Sequence, residues 1–281
     1  MLNPPMCLSR RLVCLVIAGI LALTLPARAE DRSPNAGTAL AQGVVAHDGM
    51  VVTQEARAAR IGVDILRNGG NAVDAAVAVG FALAVSYPRA GNIGGGGFMV
   101  IHRANGEDTA IDYRETAPAA INAKSFLDAQ GNADPQKSRT SALAIGVPGT
   151  VAGLALAEKE YGSGRFTLAD LIAPAIAMAR DGITLDDDMT DEQTNILARL
   201  AHWPASAKIF LKADGGGLSA GDRLVQSDLA DTLQAIARDG PDAFYQGPIA
   251  WKIAAAVQAA GGVMTVDDLK DYRAIERAPV R

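Results

Sequence analysis

Arg114 is the residue whose type and setting most directly suggest chemistry. It stands in the stretch PRAGNIGGGGFMVIHRANGEDTAIDYRE, Pro88 to Glu115, where a glycine-rich loop runs into an apparent hairpin whose return strand carries Arg114. A guanidinium is a planar fork that grips a carboxylate through two parallel hydrogen bonds, so the chemistry on offer is carboxylate recognition. Gly94 to Gly97 remove every Cβ from one short piece of backbone, which suits either turning the chain or letting a ligand approach the peptide groups. Blander readings stand beside these. Arg114 can pair with Asp112 or Glu115 at a sheet edge, which the pattern alone favours, and the glycine run can be only a flexible turn. A phosphate cradle would need Lys and Ser/Thr after the loop, and Phe98 and Met99 follow instead.

The elements around this stretch follow from local signals. Phe98 to Arg103, Asn105-Gly106 and Thr109 to Arg114 read as two strands joined by a two-residue turn, which sets Arg114 opposite Gly97. Ile111 and Tyr113 then form an apolar face, with Asp112 and Arg114 on the other. Upstream, Gly43 to Thr53 reads as two short strands broken at Asp48-Gly49, and Glu55 to Asn68 as a helix ended by Gly69-Gly70. Asn71 caps a second helix with Asp74 three residues on; from Ala72 to Val85 it is almost wholly apolar, so it must be buried on all sides. Downstream, Ala142 to Val147 reads as a strand, and Pro148-Gly149 turns it into a helix capped by Thr150. Phe166 to Asp181 is a helix with Thr167 as cap and Gly182 as stop, where Pro174 predicts a kink or a broken start. Leu185 to Leu200 opens on Asp186 to Asp188, read as acids favouring a helix start rather than as a metal site. Helices over Ser227 to Arg238 and Pro248 to Ala260 flank Gly240-Pro241, Thr265 with Asp268 opens a last short helix, and Tyr272 to Arg281 is extended.

The totals bound the class. Of 281 residues, 1–29 carry Arg10-Arg11, an apolar run from Leu12 to Leu25 and the small-residue pattern Ala27-Arg28-Ala29, which read as a secretory signal peptide with only a weak twin-arginine hint. The apolar run is shorter than the ~20 residues of a membrane-spanning helix, so a soluble periplasmic or secreted protein is expected, with no membrane partner after cleavage. Residues 30–42 read as a disordered lead-in, and 43–281 as the working region. Both cysteines, Cys7 and Cys14, fall in the leader, so no disulfide framework and no thiol nucleophile remains. Without the leader 23 basic residues face 31 acidic ones, a net charge of −8 that argues against nucleic acid as a partner.

An enzyme needs a group that attacks, and the residues do not name one. The histidines are His47, His102 and His202, the last two read as structural; no serine sits in a Gly-x-Ser-x-Gly turn, and no metal set has ligand spacing. The chain offers a binding group without a catalyst or a cofactor site.

The stretch from Gly49 to Pro118, and after it TSALAIGVPGTVAGLALA, DLIAPAIAMARDG, GDRLVQSDLADTLQAIARDGPDAFYQG and LKDYRAIERAPV, strongly resembles the γ-glutamyltransferase family. The specific motifs are AGNIGGGGFM and DYRETAP. The resemblance implies an α/β N-terminal-nucleophile hydrolase fold, an αββα sandwich of two stacked sheets flanked by helices, of which this chain is an incomplete, large-subunit portion. It implies a precursor cut by its own threonine, which then attacks the γ-glutamyl amide of glutathione and similar compounds, its α-amino group serving as base. The acyl-enzyme is resolved by water or an amino acid, without a cofactor. The family's Arg in the DYRE-type motif binds the glutamyl α-carboxylate, which assigns that role to Arg114. The family's nucleophile lies in a Thr-Thr-His type motif at the start of a small subunit; none occurs in residues 1–281, and Thr265 matches a helix cap instead. The resemblance therefore implies a fragment, inactive alone, whose partners are γ-glutamyl compounds and a small subunit. A cephalosporin or glutaryl acylase of the same family and a non-catalytic γ-glutamyl-binding subunit are the alternatives.

Overall fold

Helix Ala72–Ser86 (α2) sits at the centre of the packing, and its sequence explains why. It has no polar face after Asp74, and Val77, Phe81, Ala82 and Val85 are fully buried. Burying such a side chain is worth roughly 1.5–3 kcal/mol for the larger ones. Three helices cover it: Ala56–Arg67 (α1), Thr150–Tyr161 (α3) and Leu168–Asp181 (α4). The computed structural model describes residues 43–190 and 196–280. Residues 48–281 form the compact unit that carries the site, and residues 43–47 fall with the N-terminal unit. The leader over 1–29 and the lead-in over 30–42 lie outside the described residues. Among the described residues no helix is long and apolar enough to cross a membrane.

Three helices begin where their caps were read. Asn71 accepts from the amides of Val73 and Asp74, while the Asp74 carboxylate takes the Asn71 amide, a reciprocal capping box. Thr167 with Asp170 and Thr265 with Asp268 repeat the device at α4 and at the short helix Val266–Lys270. Gly182 ends α4 at a positive φ of 80°, and α4 runs without a break through Pro174, held by a face that buries Leu171, Ile172, Ala175 and Ile176. Helix Ser227–Asp239 packs along α4, followed by Asp242–Tyr245 and Gly247–Ala259.

Strands Phe98–His102 (β1) and Asp108–Asp112 (β2) form the expected antiparallel hairpin, and Ile275–Arg277 is added beyond β2, giving the order hairpin strand one, hairpin strand two, C-terminal strand. Ile101 and Ile111 point into the core, and Phe98, Val100 and Ile275 stay exposed on the other face. A second ladder joins Ile183–Thr184 (β3) to Arg223–Leu224 (β4). The third strand of the first sheet, Ile275–Arg277, is β5. The chain is thus mixed helix and strand, with one three-stranded sheet carrying helices on its core face.

Four expectations are corrected. Residues 43–53 form no strand among the described residues; Val44, Val45 and Val52 are largely exposed, and an extended segment without a ladder partner is not a strand. Ala142 to Val147 is a 3₁₀ turn over Ala142–Ala144 followed by a single bridge from Val147 to Thr116. The helix after it is led by Gly149 rather than capped by Thr150, which is its first residue. Leu185 to Leu200 is not one helix: its described parts are short helices Asp187–Thr190 and Leu197–His202, and residues 191–195 lie outside the described residues.

Candidate functional site

The hairpin turn sets the register of the site. Arg103 donates its amide to the Glu107 carbonyl at 2.9 Å and Gly106 its amide to the Arg103 carbonyl at 2.8 Å, with Gly106 at φ 84°. This is a three-residue loop closed by a left-handed glycine, not a two-residue turn. The pairing is therefore shifted by one residue. Phe98 pairs with Asp112, Gly97 exchanges both backbone bonds with Tyr113, and Arg114 comes opposite Gly96 rather than Gly97.

The glycines serve the protein's own backbone. A Cβ on Gly96 would run into the Tyr113 carbonyl, and one on Gly97 would lie 2.8 Å from the Tyr113 ring, so both are bare to let the return segment close in. Gly95 donates to Asn92 Oδ1 at 2.6 Å, and its carbonyl accepts from the amides of Gly149 at 2.6 Å and Thr150 at 3.0 Å. The start of α3 has no side-chain cap, so the loop carbonyl satisfies donors that a helix start leaves open. Only Gly94 of the four faces open space. The reading of the glycine run as backbone open to a ligand is corrected to that extent.

Arg114 itself is held at its backbone and open at its side chain. Its amide donates to Asp112 Oδ1 at 3.1 Å, and its carbonyl accepts from Tyr272 Oη at 2.8 Å. Asp112 is gripped in turn by Arg277 Nε at 2.7 Å. The Arg114 amide, and then the Arg277 bond, hold the Asp112 carboxyl below its ordinary 3.8. Burial, with the charges of Asp112 and Glu115 behind it, pushes the Tyr272 hydroxyl up to about 12. The Arg114 side chain is 68% exposed, and Nε lies 3.4 Å from Glu115 Oε2. The pairing with Glu115 anticipated from sequence is present, and that with Asp112 is made by the Arg114 amide instead.

Arg114 and Glu115 border an open concavity of about 500 Å³, with Gly94 and Thr116 nearby and Ile121, Phe126 and Ile145 as apolar wall. A cationic fork at the rim of such a hollow can seat a carboxylate whose attached chain lies against the wall. A wider cleft of about 830 Å³, lined by Arg139, His202 and Trp203 among others, shares Ala144 and Ile145 but contains neither Arg114 nor Glu115. The smaller hollow is the candidate because Arg114, the cationic fork singled out in the sequence, lines it.

The other residues singled out lie elsewhere. His102 Nδ1 pairs with Asp108 Oδ1 at 2.6 Å across the exposed sheet face, and the His202 ring packs edge-on against Trp203. Asp186 accepts from the Met189 amide at 3.2 Å, a helix-start bond. Among the described residues no three His, Cys, Asp or Glu side chains are grouped to hold a metal. Tyr272 and Arg277 escaped sequence reasoning. Their partners are 158 and 165 residues away, and the one local signal was the extended reading of Tyr272 to Arg281.

The family model described as Gamma-glutamyltranspeptidase matches residues 58–281. A glutathione hydrolase proenzyme of Escherichia coli K12 is 49% identical over 237 residues, 84% of this chain and 40% of the relative. One from Bacillus subtilis 168 is 40% identical over 269 residues, 95% of this chain and 44% of the relative. The crystal structure of Helicobacter pylori gamma-glutamyltranspeptidase superposes with a TM-score of 0.82 at 43% identity, covering 85% of this chain and 68% of that one. The chain thus spans less than half the length of the curated relatives it matches.

Proposed function

This chain belongs to the gamma-glutamyltranspeptidase family, and we propose that it is the large-subunit portion of an exported γ-glutamyltransferase and glutathione hydrolase precursor, supplying the site for the substrate's α-carboxylate. The observation that carries this reading is the state of Arg114: backbone fixed on both sides, guanidinium exposed at a concave rim. Its contact with Glu115 is an exposed pair at 3.4 Å, a class worth about 0–1 kcal/mol. A substrate carboxylate in fork geometry makes two parallel hydrogen bonds to the guanidinium where Glu115 makes one long contact, which favours the substrate.

In this mechanism Arg114 holds the α-carboxylate and orients the γ-carbonyl. A threonine hydroxyl, supplied by a small-subunit portion outside residues 1–281 and deprotonated by its own α-amino group, attacks that carbonyl. The tetrahedral adduct expels the amine of the cysteinylglycine or other leaving group, which takes up the proton, and a γ-glutamyl ester remains on the threonine. Water or an amino acid amine then attacks the ester and returns the hydroxyl. The αββα sandwich is completed by the same small portion, whose sheet would cover the exposed residues Phe98, Val100 and Ile275. The leader read over residues 1–29 supports a periplasmic or secreted location.

An acylase of the same family is the second reading. A guanidinium at the rim suits either substrate, since a glutaryl group carries the same distal carboxylate as a γ-glutamyl group and lacks only the α-amino group. A non-catalytic γ-glutamyl-binding subunit is the third.

The test is turnover of γ-glutamyl-p-nitroanilide by residues 30–281, with and without an added small subunit. The expected result is no turnover alone and turnover on complementation that Arg114→Ala reduces by roughly ten- to a hundredfold in kcat/KM. Turnover by residues 30–281 alone contradicts the reading, because the nucleophile would then lie among residues read as structural.

A further inference from the structure

We infer that Tyr272 and Arg277 are positioning residues for Arg114, so that the last strand region sets the affinity of the carboxylate site; this rests on the Arg114 reading above. The two reach the same peptide segment from the C-terminal end of the described chain. Tyr272 Oη donates to the Arg114 carbonyl at 2.8 Å. Arg277 Nε bonds Asp112 Oδ2 at 2.7 Å, and the other oxygen of that carboxylate, Oδ1, accepts the Arg114 amide at 3.1 Å. Both polar groups of the Arg114 backbone therefore end on the stretch 272–277, one directly and one through Asp112.

The supports are themselves fixed. The Tyr272 ring is 6% exposed and stacks on Tyr245 with centroids 5.7 Å apart and planes 8° from parallel. Tyr245 Oη donates to the Pro148 carbonyl at 3.0 Å and accepts the Ala152 amide at 3.1 Å, which ties the stack to the start of α3. That start receives the glycine loop through Gly95. Arg277 is placed by β5, where it pairs with Ala110 in register. The Arg114 side chain, by contrast, has one weak contact, so its direction is set by its backbone and not by packing of its own.

A third strand that merely completes a sheet needs neither bond. Ile275, Glu276 and Arg277 make their ladder contacts through the main chain; the Arg277–Asp112 pair supports that ladder as a cross-strand charge pair does, and the Tyr272 hydroxyl lies outside it. What the two side chains add beyond the ladder is a fixed orientation for one peptide unit.

The experiment compares L-glutamate with 4-aminobutyrate, which lacks the α-carboxylate, by calorimetric titration of the full chain, with melting temperatures in parallel. The chain as it stands prefers L-glutamate; Arg114→Ala abolishes the preference. Tyr272→Phe, which keeps the stacked ring, and Arg277→Gln, on an exposed side chain, each reduce it by about three- to tenfold, the effect of one lost hydrogen bond. The double variant Arg114→Ala/Tyr272→Phe shows no preference left for Tyr272→Phe to reduce. Melting temperatures drop by no more than a few degrees. If Tyr272→Phe proves too unstable to titrate, Arg277→Gln carries the test. Full preference in the variants, with Arg114→Ala abolishing it, overturns the positioning role and leaves the Arg114 reading standing. No preference in the unaltered chain, or an unchanged one in Arg114→Ala, overturns that reading and the positioning role with it.

Discussion

Arg114 joins a fixed backbone to an open side chain, and the groups around it give the site a defined response to pH. Asp112 is held below its ordinary 3.8 by the Arg114 amide and then by Arg277. Its folded value is lowered, so its contribution is complete above 3.8 and is lost as pH falls through the lowered value. Arg277→Gln is expected to move the Asp112 carboxyl up toward 3.8 in a carbon-detected NMR titration; an unmoved value contradicts the bond. Tyr272 runs the other way. Its folded value is raised from 10.0 to about 12, so its stabilising contribution is whole below 10.0 and disappears as pH rises toward 12. In an ultraviolet titration of the five tyrosines, Tyr272 and the more deeply buried Tyr245 are expected to ionise last, together with alkaline unfolding. Ionisation of all five near 10 in the folded chain contradicts their burial.

At the scale of elements, the local caps and the close approach of loop to helix carry the organisation. Asn71 caps α2 and also donates Nδ2 to the Tyr161 carbonyl at 2.8 Å, joining the start of α2 to the end of α3. Asn71→Ala is expected to cost about 1–2 kcal/mol in urea unfolding, and a cost near zero contradicts the cap. Gly149 is bare because the Tyr113 carbonyl and the Tyr272 hydroxyl occupy the place of its Cβ. Gly149→Ala is expected to cost about 1–3 kcal/mol through overpacking and to disturb the Arg114 seat, read as lost L-glutamate preference. Three of the four capping boxes among the described residues were legible in the sequence, because Asn71 and Asp74, Thr167 and Asp170, Thr265 and Asp268 each sit within one helical turn; the fourth, Asn122 with Ser125, was not read. The hairpin was legible in kind but one residue out in register, because Asn105-Gly106 fits a two-residue turn as well as the last two places of a three-residue loop. The contact of Val147 with Thr116 is a lone bridge, which no alternation over Ala142 to Val147 could distinguish from a strand. The clasp of Tyr272 and Arg277 on Arg114 left no signal beyond the extended reading of Tyr272 to Arg281, since nothing periodic links residues 158 or more positions apart.

At the scale of the whole molecule, the three-stranded sheet has one face in the core and one in water. Phe98 is 62% exposed, Val100 70% and Ile275 48%, and register puts Phe98, Asp112 and Ile275 in one row. Apolar side chains grouped on an exposed sheet face favour association. Sedimentation of the chain alone is expected to show self-association that Phe98→Ser with Val100→Thr reduces; a monomer at all concentrations contradicts this. In the proposed assembly with a small-subunit portion the same face would be covered, and there the central claim is tested most directly by a cycle between Arg114 and the substrate. The kcat/KM of γ-glutamyl-p-nitroanilide is compared with that of its α-carboxamide analogue, for the complemented chain and for its Arg114→Ala variant. The predicted result is a loss of about tenfold or more on amidating the substrate in the unaltered enzyme and little or no loss in Arg114→Ala. Equal losses in both would contradict the account, because the carboxylate would then be bound by some other group.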